Sequence, residues 1–208
     1  MTGLAGRGIQ ASRTPWMHEQ EADAQGLRLV YSLFDFDARG WSDDDLPALL
    51  DAAQRLGFAG LNITFPFKQA VMAHLDELSD GAREVGAVNT VSFANGKRTG
   101  FNTDVSGFSE GFASGLAGAA TAQIVQTGCG GAGAATAYGL LSGGTGVLHL
   151  VDSDQDRAKA LADTLCARFG AGRAVVAADV ADAMDMADGL VHASPTGMAK
   201  FPGMPVTS

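Results

Sequence analysis

The 208 residues are 46% hydrophobic and 18% charged, enough apolar side chain for a sizeable core in one large domain or two small ones, which excludes a disordered chain. A net charge of -9 leaves no broad basic surface for phosphates, so nucleic acid is an improbable partner and any small anion would need local basic residues. Only Cys129 and Cys166 are available for disulfides or thiolate ligands, the opening residues lack a continuous apolar export signal, and no uncharged apolar run approaches the ~18 residues of a membrane span, so a soluble, cytoplasmic protein without a metal is expected.

In chain order, hydrophobic patterning predicts a strand over Gly3 to Ile9, a helix over Pro15 to Gln25 and a strand over Leu29 to Phe36. A helix follows over Asp43 to Leu56, with acidic residues in its first turn, then a strand over Ala59 to Thr64 and a helix over Phe67 to Leu78. Two β-favouring stretches, Val88 to Phe93 and Arg98 to Asn102, flank Asn95-Gly96, a dipeptide suited to a tight hairpin.

A helix over Val105 to Leu116 leads into an alternating series. Strands are expected at Gln123 to Thr127, Val147 to Asp152, Ala174 to Ala178 and Leu190 to Ser194, with helices at Gly131 to Leu141 and Asp156 to Phe169. Such alternation predicts a layered α/β fold with a parallel sheet, and the domain boundary is placed near Ser106.

Gly128-Cys129-Gly130-Gly131-Ala132-Gly133 has the G-x-G-x-x-G spacing, directly after an apolar strand and at the start of an alanine-rich helix. A dinucleotide site needs glycine where the chain turns tightly and where backbone meets pyrophosphate, and the helix N-terminus offers N–H groups to the anion. An ordinary tight turn in a glycine-rich chain would look similar, but the strand before and the helix after favour the nucleotide.

Asp152 ends the next apolar strand, where a carboxylate accepts from adenosine ribose hydroxyls, which favours NAD. A 2'-phosphate there would meet Asp152 and Asp154, although Arg157 stands nearby, so NADP is the lesser expectation. A helix-capping aspartate is the plainer alternative for Asp152, and that role also suits Asp154.

Earlier polar segments suit neither strand core nor helix core. In Asn62-Ile63-Thr64-Phe65-Pro66-Phe67-Lys68, a threonine ends a strand and a lysine stands just inside an expected helix, where backbone dipoles and partial desolvation would lower its pKa toward proton exchange; a solvated surface lysine is the plainer reading. Asp104, in Asn102-Thr103-Asp104, could cap the following helix. Ser12-Arg13-Thr14-Pro15 offers two hydroxyls ahead of a helix, as an N-cap or a small anion site.

Gly6-x-Gly8-Ile9, Ser12-Arg13-Thr14-Pro15, Asn62 to Lys68, Gly86-Ala87-Val88-Asn89-Thr90, Asn102-Thr103-Asp104 and the glycine loop, in that order, resemble the signature of the shikimate/quinate dehydrogenases over essentially the whole chain. The resemblance implies an N-terminal α/β substrate-binding domain over 1–105, then a Rossmann-type doubly wound nucleotide-binding domain over 106–208. It implies that Ser12 and Thr14 bind the substrate carboxylate and that Thr64, Lys68, Asn89 and Asp104 meet the ring hydroxyls. Lys68 and Asp104 would be the catalytic pair, and Gly128, Gly130, Gly131, Ala132, Gly133, Asp152, Arg157 and Ser194 would hold the cofactor. Thr14 within Ser-Arg-Thr-Pro and Asp152-Ser153-Asp154 in place of an Asn-Arg-Thr stretch resemble the NAD-linked, dual-substrate members, acting on shikimate and quinate as monomer or homodimer.

Two departures stand out. His192-Ala193-Ser194-Pro195 replaces the family's usual Asn-Ala-Thr-Pro, and His192 reads as a satisfied strand-end histidine before it reads as a neighbour of the nicotinamide; His18, His74 and His149 read as structural or solvated. The family also continues past its Gly-Met pair, through helices returning to the substrate domain and a glutamine that meets substrate, whereas this sequence ends at Ser208. An incomplete nucleotide domain with an unpaired sheet edge is therefore expected, as a fragment or a shortened, inactive relative. A non-catalytic NAD-binding module is the alternative from another class, and the folate dehydrogenases, which share the two-domain layout, fit the motifs less well.

Overall fold

The computed structural model describes residues 1–198 and 201–204, which form two compact units, Met1–Thr103 and Asp104–Ser208. In the first unit, strand β1 (Thr2–Gly6) is followed by helix α1 (Thr14–Ala24), β2 (Tyr31–Asp35), a single helical turn α2 (Phe36–Arg39), α3 (Leu46–Arg55) and β3 (Gly60–Ile63). Next come β4 (Glu77–Leu78), α4 (Asp80–Val85), β5 (Thr90–Ala94) and β6 (Lys97–Phe101). The sheet order is β2-β1-β3-β5-β6-β4. The hairpin expected at Asn95-Gly96 is present: with positive φ at both residues (53° and 76°) the turn folds β6 back antiparallel to β5, and because β5 is also antiparallel to β3 the sheet is mixed rather than purely parallel.

Helix α3 covers the sheet because Leu46, Leu49, Leu50 and Ala53 recur on one face, and all four are buried with Phe36, Leu61, Ile63, Phe67, Val71, Val88 and Val91. By contrast α1 buries only Ala22 and leaves Trp16 and Met17 in solvent. The expected helix over Asp43 to Leu56 is two pieces: Ser42 and Asp45 form a capping box around a 3-10 turn at Asp43–Asp45, and Pro47 then opens α3.

No α-helix spans Phe67 to Leu78. The chain turns through Lys68, makes a 3-10 helix at Ala70–His74 and then enters β4. The Lys68 carbonyl, which a helix would turn to residue 72, accepts from Val88 N–H at 2.7 Å instead. Asp76 N–H donates to the Arg98 carbonyl at 3.0 Å and its carboxylate accepts from Arg98 N–H at 2.7 Å, drawing the chain onto the sheet edge. Helix α4 was not foreseen, although Ser79 caps its start and Gly86, at φ 67°, ends it.

The second unit runs α5 (Asp104–Gly115), β7 (Gln123–Thr127), α6 (Gly131–Ser142), β8 (Val147–Val151), α7 (Gln155–Phe169), β9 (Ala174–Val176), α8 (Val180–Met184) and β10 (Gly189–His192). Its four strands are all parallel, in the order β10-β7-β8-β9. The core joins Ile124, Leu140, Leu141, Leu148, Leu150, Ala158, Ala162 and Leu165, with Phe108 and Phe112 of α5 packed against it. Strand order therefore reverses at β7: β8 and β9 extend one way, and β10 returns on the other side. In open α/β sheets the crevice for a ligand lies at such a switch point, beyond the carboxyl ends of the strands.

Candidate active site and cofactor loop

In the first unit the polar residues gather at the carboxyl ends of β1 and β3. Thr64 N–H donates to the Ala5 carbonyl at 3.0 Å, and a Cβ on Gly6 would strike the Thr64 methyl, so glycine lets the two strand ends meet. Ile63 N–H donates to the Asn89 carbonyl at 2.7 Å, and Val88 N–H to that of Lys68 at the same distance. The segment 63–68, with Thr64 and Lys68, and the distant segment 88–89, with Asn89, are thereby sewn together by backbone.

Ser12 lies on the loop that follows β1, and Thr14 opens α1. Buried Asp35 folds that loop by accepting from Gly8 N–H (2.9 Å), Ile9 N–H (3.0 Å) and Gln10 Nε2 (3.2 Å), and Arg7 N–H donates to the Phe65 carbonyl at 3.0 Å. Burial works against the charge on Asp35, but these donors outweigh it and hold the carboxyl below its ordinary range. Ser12 Oγ donates to Thr14 Oγ1 at 3.0 Å, so the two hydroxyls lie side by side at the start of α1.

A line of hydrogen bonds fixes Asn89, and its direction follows from one donor that cannot turn round. Thr103 backbone N–H reaches Asn89 Oδ1 at 3.0 Å, so that oxygen is an acceptor and Thr90 Oγ1, 3.1 Å away, must donate to it. Thr90 then accepts from Asn62 Nδ2 (3.2 Å), which turns Asn62 Oδ1 toward the Tyr31 hydroxyl (2.6 Å) as its acceptor. Asn89 Nδ2 donates onward to Thr103 Oγ1 at 2.8 Å. Donation thus runs one way, from Tyr31 through Asn62, Thr90 and Asn89 to Thr103. Burial pushes the Tyr31 phenol well above its ordinary pKa, which keeps it a donor.

No role is assigned to Tyr31, Thr90 or Thr103 by the sequence, although Thr90 and Thr103 stand in the motif strings; a polar Asn62 between Leu61 and Ile63 on a buried strand is a further signal. Lys68 lies in a turn rather than at an α-helix N-terminus, so the helix-dipole argument for it has no structural counterpart. Asp104 opens α5 in the second unit, where a carboxylate suits the helix dipole.

In the second unit the glycine loop occupies the switch point after β7. Gly128 has φ 95°, and a Cβ there would come within 2.6 Å of the Ala193–Ser194 backbone that continues β10. A Cβ on Gly133 would land on the Gly128 carbonyl oxygen. Gly130 opens α6 with no side-chain cap, and a Cβ on it would meet open space, so the loop presents backbone N–H groups on an uncluttered face. That arrangement fits a dinucleotide pyrophosphate.

Asp152 is buried and accepts from Cys129 N–H (2.7 Å), Asp154 N–H (2.9 Å) and the Arg157 guanidinium (2.6 and 3.2 Å). Burial opposes its charge, yet the Arg157, Asp154 and Cys129 hydrogen bonds hold its carboxyl below the usual range. Burial, with Asp152 adding to it, pushes the Cys129 thiol up to about 12, so this loop cysteine is no nucleophile near neutrality. His192 Nε2 lies 3.0 Å from the Thr196 carbonyl and so carries a proton, and Nδ1 lies 3.0 Å from Thr127 Oγ1. His192 is thus a hydrogen-bonded strand end, and Ser194 beside it bonds Thr196 Oγ1 at 3.1 Å.

The family described as "Shikimate dehydrogenase substrate binding domain" matches residues 4–91. The shikimate dehydrogenase (NADP(+)) of Pseudarthrobacter chlorophenolicus is 50% identical over 208 residues, covering 99% of this chain and 71% of that protein. The quinate/shikimate dehydrogenase (NAD(+)) of Corynebacterium glutamicum is 49% identical over 207 residues, covering 98% and 73%. Among solved structures, quinate dehydrogenase from Corynebacterium glutamicum in complex with NAD superposes with a TM-score of 0.89 at 46% identity, covering 99% of this chain and 74% of that one. The ordered motifs, the glycine loop at the switch point and identity near one half over nearly the whole chain establish that this protein belongs to the shikimate/quinate dehydrogenase family.

Proposed function

We propose that this chain interconverts shikimate and 3-dehydroshikimate, and quinate and 3-dehydroquinate, with NAD. The observation that carries the reading is the backbone stitching of the Thr64–Lys68 segment to Val88-Asn89, at the positions where the family motifs stand. Residues 1–105 bind substrate and 106–208 bind the dinucleotide. Ser12 and Thr14 take the substrate carboxylate, and Thr64 and Asn89 orient the ring hydroxyls. In oxidation Lys68 Nζ accepts the proton of the reacting hydroxyl as the carbonyl forms, and the Asp104 carboxylate shares the handling of that proton; in reduction Lys68 returns it. The nicotinamide, when bound, supplies the hydride acceptor or donor.

Gly128, Gly130, Gly131, Ala132 and Gly133 approach the pyrophosphate, with Ser194 beside them. At the adenosine end, Asp152 and Asp154 together outweigh the single charge of Arg157, which is paired to both, so a 2'-phosphate meets net negative charge and NAD is preferred. NADP is the second reading, favoured by the exposure of 43% of the Arg157 side chain, which leaves its guanidinium within reach of a phosphate. The free thiols of Cys129 and Cys166 support a cytoplasmic setting, and among the described residues no helix is long and apolar enough to cross a membrane.

The test is the initial rate of NAD reduction with saturating shikimate, then quinate, each repeated with NADP and with Lys68→Ala. NAD-linked turnover that falls by at least about 100-fold in the variant supports the reading. Equal or better turnover with NADP removes the cofactor preference. A folded, NAD-binding chain without turnover supports the non-catalytic module instead.

A further inference from the structure

The glycine loop is held from beneath by a side chain that the reading above leaves unused. Gln126 lies on β7 beside Ile124 and Val125 and is fully buried. A buried carboxamide is costly unless its hydrogen bonds are made. Gln126 Nε2 donates to the carbonyl of Gly128 at 3.0 Å and to that of Gly133 at 2.8 Å, while Oε1 accepts from Thr136 Oγ1 at 2.9 Å. One amide therefore bridges the first and last glycines of the loop, and the bridge is itself steadied from the first turns of α6.

We infer that Gln126, braced by Thr136, is a positioning residue for dinucleotide binding: it ties the Gly128 carbonyl inward to the first turn of α6 at Gly133, so that the loop turns N–H groups, not that carbonyl oxygen, toward a pyrophosphate. Two further contacts agree. Gly133 has no room for a Cβ because the Gly128 carbonyl fills that space, so the two glycines touch where the amide joins them. The next residue is steadied from the neighbouring strand, Cys129 N–H donating to Asp152, so the turn is anchored from β7 and β8 together. A Gly128 carbonyl released from Gln126 could swing to the open face, where its partial negative charge would repel phosphate. Gln126 touches neither ligand nor reacting atoms, and its effect reaches the cofactor only through loop geometry.

The inference rests on the dinucleotide reading, and titration of the full chain with NADH, followed by fluorescence, separates the two. If the unaltered protein binds no NADH, the dinucleotide reading and the inference that rests on it both fall; if it binds, the variants judge the clasp alone. Gln126→Met keeps the side-chain length but removes all three hydrogen bonds, and its NADH Kd is expected to rise about tenfold while shikimate KM changes less than about twofold. A folded Gln126→Met protein with unchanged NADH affinity overturns the inference. So does an equal loss for NADH and shikimate, which would mark general scaffolding. Should Gln126→Met fail to fold by circular dichroism, Thr136→Val takes its place: an NADH Kd about threefold higher supports the clasp, and an unchanged one overturns it.

Discussion

The two units present their chemistry by opposite means. The first carries its candidate groups on side chains: Thr64 and Lys68 come from one segment and Asn89 from another, and backbone hydrogen bonds between the two segments hold them together. The second presents backbone, and side chains do the holding: Gln126 and Asp152 grip the glycine loop from two adjacent strands. What acts in one unit supports in the other. A side-chain site should thus be most sensitive to the groups at its tip, and a backbone site to any added bulk or lost grip beneath it.

The sharpest way to break this contrast is to add a single methyl group to the loop. Gly128→Ala forces a side chain into φ 95° and against the Ala193–Ser194 backbone. It is expected to cost about 3 kcal/mol of stability in urea unfolding and to abolish measurable NADH binding. Near-normal stability would mean that the continuation of β10 yields and that the loop is less constrained than its contacts imply.

A smaller effect is expected at the far end of the hydrogen-bond line in the first unit. Tyr31→Phe leaves Asn62 Oδ1 without its phenolic donor, frees Asn62 to turn over and weakens the one-way donation that orients Asn89. Shikimate KM should rise about fivefold, with NADH affinity unchanged. Equal changes in both would show that Tyr31 matters to folding alone.

The smallest expected effect is in acid. Asp35 and Asp152 are each held below the ordinary carboxylate range in the folded protein. Each therefore contributes stability that is fully present above the unfolded value of about 3.9 and is lost as pH falls through the lower folded value. In urea melts between pH 6 and pH 2, Asp35→Asn should flatten the acid limb of the first unit and Asp152→Asn that of the second, each by about 1 kcal/mol. An unchanged acid limb in both variants would show that these carboxylates are not what links folding to protons.

Much of this arrangement is legible in the sequence, and the rest is hidden for physical reasons. The second unit follows its pattern closely, with β7 over Gln123–Thr127 as expected, because a central parallel strand buried on both faces reads as a continuous run between alternating helices. The stretch after Lys68 misleads: Phe67 and Val71 have helical spacing, but tertiary hydrogen bonds from Val88 and Arg98 take the backbone away from a helix. The mixed first sheet follows from the Asn95-Gly96 hairpin, whose direct return forces antiparallel pairing. Residues that would touch ligand stand in recognisable strings. Those that hold them do not, because Tyr31 and Gln126 act through partners 31 residues away and 2 to 10 residues away respectively, and neither spacing is a motif.

The thin anchoring of α1 has an optical consequence. The sequence contains two tryptophans, and both lie in the first unit. Trp41 packs edge-on to Phe36 and under the Arg39 guanidinium, whereas Trp16, two residues after Thr14, is 64% exposed on a helix that buries only Ala22. Their emission is therefore separable: iodide quenches Trp16 and spares Trp41, so the quenchable fraction follows the Ser12–Thr14 end of α1 while the protected fraction follows the core. Each chain carries, without any label, one dye on the first turn of α1 and another on its scaffold.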